Sequence, residues 1–127
     1  MENSSKYDKV RLHYKIWISG NQGHKVIDDE RMELLRLIKE LGSLKEATDK
    51  MGISYRKAWG DMRDCEEGLG FALIEKQRGG QAGGHTMLTD EGNRLLEAYT
   101  QLHEKFRKEV NEVIIDFKRT IKGKKSI

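Results

Sequence analysis

Ser54, Tyr55, Arg56 and Lys57 occupy consecutive positions, and Arg63 follows Arg56 at a spacing of two helical turns. Hydroxyl, phenol, ammonium and guanidinium groups at that density suit recognition of a polyanion. Arginine forks onto guanine edges, while serine, tyrosine and lysine hydrogen-bond phosphates or bases. A second stretch, Glu75 to His85, places Lys76 and Arg78 beside Gly79, Gly80, Gln81, Gly83, Gly84 and His85. There the cations supply charge, and the glycines let backbone N–H groups come close to phosphates. Solvated charges on an amphipathic helix would have the same composition. DNA is favoured because a turn glycine, a helix cap, a basic first helical turn and a basic loop all agree.

Other chemistries lack their residues. His13, His24, His85 and His103 have no metal-ligand spacing, and Cys65 is the single cysteine. An intramolecular disulfide or a thiolate cage is therefore excluded, and no metal or cofactor is expected. Asp64, Glu66 and Glu67 flank Cys65 and are expected to raise its pKa, so it makes a poor nucleophile. The glycines after Arg78 are not followed by the Lys-Ser or Lys-Thr of a nucleotide-binding loop. No catalytic residue is designated.

The chain of 127 residues suits one core with an extended arm. Lys and Arg number 24 against 21 Asp and Glu, so where the positive charge sits matters more than the net +3. The amino terminus is polar, and no apolar run approaches the roughly 20 residues that span a bilayer. A cytoplasmic protein without a membrane segment is expected.

The elements that must position the cations follow from periodicity. Val10, Leu12, Tyr14, Ile16 and Ile18 alternate with polar residues as in a strand, and Lys25-Val26-Ile27 returns after the turn Gly20 to Gly23. Leu34, Leu35, Leu37, Ile38 and Leu41 recur at helical spacing after Asp28 and Asp29, and stop at Gly42. Ser43 caps a short helix over Leu44 to Met51, with Glu46 in capping-box position. Gly52 ends that helix and Ser54 caps the next, which spans about Tyr55 to Glu67 and stops at Gly68-Leu69-Gly70. Trp59, next to Ala58 and three residues before Met62 in that helix, is expected to pack under the hairpin that follows.

That hairpin joins a strand at Phe71, Leu73 and Ile74 to a return strand at Thr86-Met87-Leu88, with the cationic loop as its tip. Thr89-Asp90-Glu91 then starts a long helix. Its stripe of Leu95, Tyr99, Leu102, Phe106, Val110, Val113, Phe117 and Ile121 outruns a small domain, so a homodimer is expected along Leu95 to Phe117. The fold expected is mainly α with small β: a winged helix-turn-helix with an amino-terminal β-hairpin and a long carboxy-terminal dimerisation helix. Residues 1–88 would form the DNA-binding domain and 89–127 the dimerisation arm with a basic tail. Ser43, Ser54, Tyr55, Arg56, Lys57 and Arg63, with the loop from Lys76 to His85, would meet double-stranded DNA.

The run Gly52 to Trp59, the segment Arg78 to Gly84 and Leu88-Thr89-Asp90-Glu91-Gly92 resemble the amino-terminal DNA-binding domain of the ModE family. Those molybdate-responsive bacterial transcription regulators are themselves similar to LysR-type regulators. The resemblance covers about Asp29 to Tyr99 and implies that the helix from Ser54 and the wing contact operator DNA while the long helix dimerises. Full-length members carry carboxy-terminal oxyanion-binding domains, whereas this chain ends at Ile127 after Lys122-Gly123-Lys124-Lys125. Molybdate sensing is not carried over, and no small-molecule effector is designated. A protein-interaction module and a small oxyanion binder are the alternatives.

Overall fold

In a computed structural model of the chain, residues 4–20, 25–77 and 85–123 are described. The helices begin and end where short polar residues and glycines allow. Helix α1 is Asp29–Leu41, and the Asp28 carboxylate before it accepts from the Arg31 N–H at 3.0 Å. Helix α2 is Leu44–Met51, with the Ser43 hydroxyl accepting from the Glu46 N–H at 3.0 Å. Helix α3 is Tyr55–Leu69, where Ser54 accepts from the Lys57 N–H at 3.0 Å. Each cap satisfies a backbone donor that has no partner within its helix. Gly42, Gly52 and Gly70 close the three helices with left-handed φ of 71°, 72° and 89°.

Sequence stop and structural stop differ at the end of α3. Gly68 lies inside the helix, and a Cβ there would come within 2.5 Å of Val26 Cγ2. It is a packing glycine, and Gly70 makes the turn.

The core collects Leu34, Leu35, Leu37 and Ile38 of α1, Leu44 and Ala47 of α2, and Ala58, Met62 and Cys65 of α3. Burying each large aliphatic side chain contributes about 1.5–3 kcal/mol. Buried Thr48 is satisfied, its hydroxyl donating to the Lys45 carbonyl at 2.7 Å.

Two small antiparallel pairs flank the helices. Strand β1 is Ile18–Ser19 and β2 is Lys25–Ile27, with an irregular register between Ile18 and Ser19. The long strand expected from Val10 is not formed before Ile18. Leu12 and Tyr14 are 42% and 45% exposed, so the alternation has no neighbouring surface to pack on, and alternation alone does not make a ladder. The turn expected at Gly20 to Gly23 lies largely outside the described residues.

Strand β3 is Ile74–Gln77 and β4 is His85–Leu88, paired Ile74 with Leu88 and Lys76 with Thr86. β3 starts later than Phe71 because Leu73 is otherwise engaged: its N–H donates to the Glu66 carboxylate at 2.7 Å, and its carbonyl accepts from Thr89 N–H at 2.9 Å. Helix α4 is Asp90–Ile121. Thr89 caps it, accepting from Gly92 N–H at 2.9 Å while donating to the Ala72 carbonyl at 2.7 Å.

Three helices followed by a two-stranded hairpin and a long helix make a mainly α winged helix-turn-helix. Ile16–Tyr99 forms one compact unit, and the residues up to Lys15 group with those from Thr100 onward. Within the first unit Tyr99 is buried and its hydroxyl donates to the Asp29 carboxylate of α1. Among the described residues no helix is long and apolar enough to cross a membrane.

Cys65 is fully buried, its Sγ 2.9 Å from the Val26 carbonyl. Burial is the leading cause that pushes its thiol from 9.0 up to about 12; Asp61, Asp28 and Asp64 add to this, and Arg31 opposes it. The expected raising is therefore chiefly desolvation. Because the folded value lies above the unfolded one, this group's contribution to stability is complete below pH 9.0 and is lost as pH rises toward about 12. At pH 8 a thiol reagent is expected to modify Cys65 at least about a hundredfold more slowly in the native chain than in denaturant. Equal rates by absorbance assay would contradict this burial.

Candidate nucleic-acid interface

The sequence Gly52-Ile53-Ser54 turns the chain sharply between α2 and α3, with Ile53 N–H donating to the Thr48 carbonyl at 3.1 Å. Ala58, Met62 and Cys65 then face the core. Helical periodicity puts Arg56, Gly60 and Arg63 on the opposite side, at i, i+4 and i+7. All three are exposed. Neither arginine has an ion-pair partner among the described residues, so both guanidinium forks are available to a ligand.

Lys57 is placed differently from its neighbour. Its ammonium lies 2.8 Å from Asp61 and 3.6 Å from Glu30 of α1. The Asp61 hydrogen bond is the main reason its pKa is raised. Asp61 also lies 3.6 Å from Arg31, which in turn is 3.5 Å from Asp28. This side of α3 is committed to holding the helix against α1, and Lys57 remains exposed at its edge.

The third side of α3 meets the wing. Tyr55 and Trp59 pack edge to face, with ring centroids 6.3 Å apart and planes at 75°. Lys76 of β3 sets its ammonium 4.8 Å from the Trp59 ring centroid and 5.7 Å from that of Tyr55. A cation over an aromatic face is worth about 0.5–1 kcal/mol at an exposed site. Lys76 therefore ties the wing to α3 as well as carrying charge. The Lys76 ammonium, and after it Trp59, hold the Tyr55 phenol below its usual range. Trp59 is half-buried under Lys76, close to the expected packing beneath the hairpin.

Glu66, which the sequence marks only as a charge near Cys65, fastens the wing root. Its carboxylate accepts from the N–H groups of Leu73 and Ile74 at 2.7 and 3.1 Å. On the other strand Thr86 N–H donates to the Gly42 carbonyl at 3.1 Å, and the Thr86 hydroxyl accepts from Leu44 N–H at 3.3 Å. Ser43 is thus beside β4, with its hydroxyl engaged as the α2 cap. His85 is exposed on the outward side of β4, where the alternating burial also places Met87. Arg78, Gly79, Gly80, Gln81, Gly83 and Gly84 lie outside the described residues.

Along α4 the apolar stripe divides. Leu95 is half-buried, whereas Tyr99 is only 6% exposed and bonded to Asp29. Tyr99 therefore packs inside the chain, bonded to α1. Beyond it Leu102 and Val110 are half-buried, and Phe106, Val113 and Phe117 are exposed. Leu102, Lys105, Phe106 and Glu109 line a groove of about 300 Å³. Among the described residues no group of three His, Cys, Asp or Glu is placed to hold a metal.

A capped helix on a tight turn, presenting two exposed arginines beside a fastened hairpin, defines a winged helix-turn-helix domain. Residues 30–93 match the bacterial regulatory helix-turn-helix protein, lysR family, and the chain belongs to that family. It is 36% identical over 76 residues to the transcriptional regulator ModE of Haemophilus influenzae, covering 60% of this chain and 30% of that protein. It is 35% identical over 75 residues to the DNA-binding transcriptional dual regulator ModE of Escherichia coli K12, covering 59% and 29%. The chain thus spans less than a third of the length of these curated relatives. The crystal structure of ArgP from Mycobacterium tuberculosis aligns with a TM-score of 0.52 at 19% identity, over 68% of this chain and 30% of that one. That likeness is one of fold.

Proposed function

We propose that the chain is a sequence-specific DNA-binding transcription regulator acting in the cytoplasm, with no catalytic step. Residues 16–99 form the DNA-binding unit, and the exposed part of α4 pairs two copies. The observation that carries this reading is the outer face of α3, where Arg56 and Arg63 stand exposed without ion-pair partners among the described residues. Family membership and the transcriptional roles of the ModE relatives support it. In this reading α3 enters the major groove, Arg56 and Arg63 meet base edges or phosphates, and Ser54, Tyr55 and the wing meet the flanking backbone. Lys57 contributes less than Arg56, since Asp61 and Glu30 already neutralise it.

The test begins by selecting bound sequences from random duplexes with the wild-type chain. Arg56→Ala is then expected to lower affinity for the selected site by about 1–3 kcal/mol, with little change on a scrambled duplex. Fluorescence anisotropy at several salt concentrations separates this from a phosphate contact, which would weaken both duplexes and reduce the salt slope by about one. Failure of the wild-type chain to prefer any duplex would remove the proposal.

A further inference from the structure

Gly60 stands out once each described glycine is asked why it is glycine. Gly42, Gly52, Gly70 and Gly123 have positive φ. Gly20, Gly68 and Gly92 are packed so closely that a Cβ would come within 2.3, 2.5 and 2.2 Å of a neighbouring atom. Gly60 has neither reason: its φ is not positive, and a Cβ there would meet nothing within 4 Å. It lies in the interior of α3, where glycine is a poorer helix former than alanine. Among the described residues neither backbone conformation nor packing accounts for a glycine there.

Its position supplies a reason outside the chain. Gly60 is exposed, one turn after Arg56 and one turn before Arg63, on the face from which both free guanidinium groups project. The two arginines are about 10 Å apart along the helix axis, and between them the helix presents bare backbone. We propose that Gly60 is where the α3 backbone seats against base edges on the floor of the DNA major groove, making position 60 a determinant of sequence specificity. This rests on the DNA-binding reading. A missing side chain lets the helix enter deeper, so that Arg56 and Arg63 reach base edges on either side. A side chain at position 60 holds the helix off the base edges while leaving phosphate contacts within reach of flexible cations.

The experiment compares wild type, Gly60→Ala and Gly60→Leu as full chains, on the duplex selected by wild type and on a scrambled duplex. Gly60→Ala is expected to raise the melting temperature by a few degrees, because alanine is the better helix former and has room. It is expected to bind the selected site about tenfold more weakly, Gly60→Leu more weakly still, and both to bind the scrambled duplex like wild type. Equal affinity of Gly60→Ala and wild type for the selected site overturns the inference. So does uniform weakening on both duplexes, which would mark a phosphate contact. If wild type prefers no duplex, the parent reading fails with it; if wild type and Arg56→Ala behave as proposed above and Gly60→Ala binds like wild type, the Gly60 inference fails alone.

Discussion

With two copies paired along α4 as proposed, Phe117→Asp is expected to give a monomer and to weaken binding to a duplex carrying two half-sites by about a hundredfold or more. Phe106, Val113, Phe117 and Ile121 are 46%, 55%, 47% and 37% exposed, at spacings of seven, four and four along one helix. That spacing keeps them on one stripe, and an apolar stripe open to water gains about 1.5–3 kcal/mol for each large side chain that a second copy covers. An aspartate in the middle of such a seam loses one of those contributions and adds a charge that must be desolvated or repelled by its symmetry mate. When two DNA-binding units are joined, the second binds at the effective concentration set by the link, which raises avidity by about 10²–10⁴. The loss on a two-site duplex follows from losing that link. Affinity for a single half-site should be unchanged, since Phe117 lies outside the unit Ile16–Tyr99. Sedimentation equilibrium together with anisotropy on the two duplexes checks both halves. A variant that remains dimeric would show that another surface holds the copies together.

The parts of this fold that were legible are those fixed by neighbours in sequence. Asp28, Ser43 and Ser54 each accept from an N–H three residues later, so cap and helix start are visible together. Gly42 and Gly52 end helices through backbone geometry that is equally local. Where a distant partner decides, the sequence was ambiguous. Gly68 looks like a stop signal, yet it is kept small by Val26, and the helix runs on to Leu69. The alternation from Val10 would make a strand beside a suitable neighbour, but pairing begins only at Ile18. Tyr99 continues the apolar period of α4, while its hydroxyl is claimed by Asp29, 70 positions earlier. At the candidate site, the cationic types were plain and their availability was not. Arg56 and Lys57 are adjacent basic residues, and only the placement of α1 shows that Glu30 joins Asp61 in occupying the lysine. Gly60 gives no sign in the sequence, because an absent side chain carries no signal until the surrounding space is known.

Gly92→Ala tests the same reasoning with the opposite sign. In an unconstrained helix the change would stabilise by about 1 kcal/mol, as expected for Gly60→Ala. At position 92 the new Cβ would lie 2.2 Å from the Leu73 carbonyl oxygen and 3.1 Å from its carbon. Backbone cannot rotate aside as a side chain can, and this carbonyl is fixed on both sides. It accepts from Thr89 N–H at 2.9 Å, while the Glu66 carboxylate holds the Leu73 and Ile74 N–H groups. Relief therefore requires α4 to lift from the wing root or β3 to shift from α3, and either movement breaks hydrogen bonds at buried or half-buried positions. Overpacking of this kind costs about 1–3 kcal/mol or more, which exceeds the propensity gain. Thermal unfolding is expected to move down by on the order of 10 °C. DNA binding should fall as well, because Lys76 would no longer rest over Trp59 and Tyr55 in its present position. A melting temperature equal to or above that of wild type would mean that the close approach of α4 to Leu73 is not maintained in solution. With both variants in hand, the opposite shifts at positions 60 and 92 separate a glycine retained for a ligand from one retained for the fold.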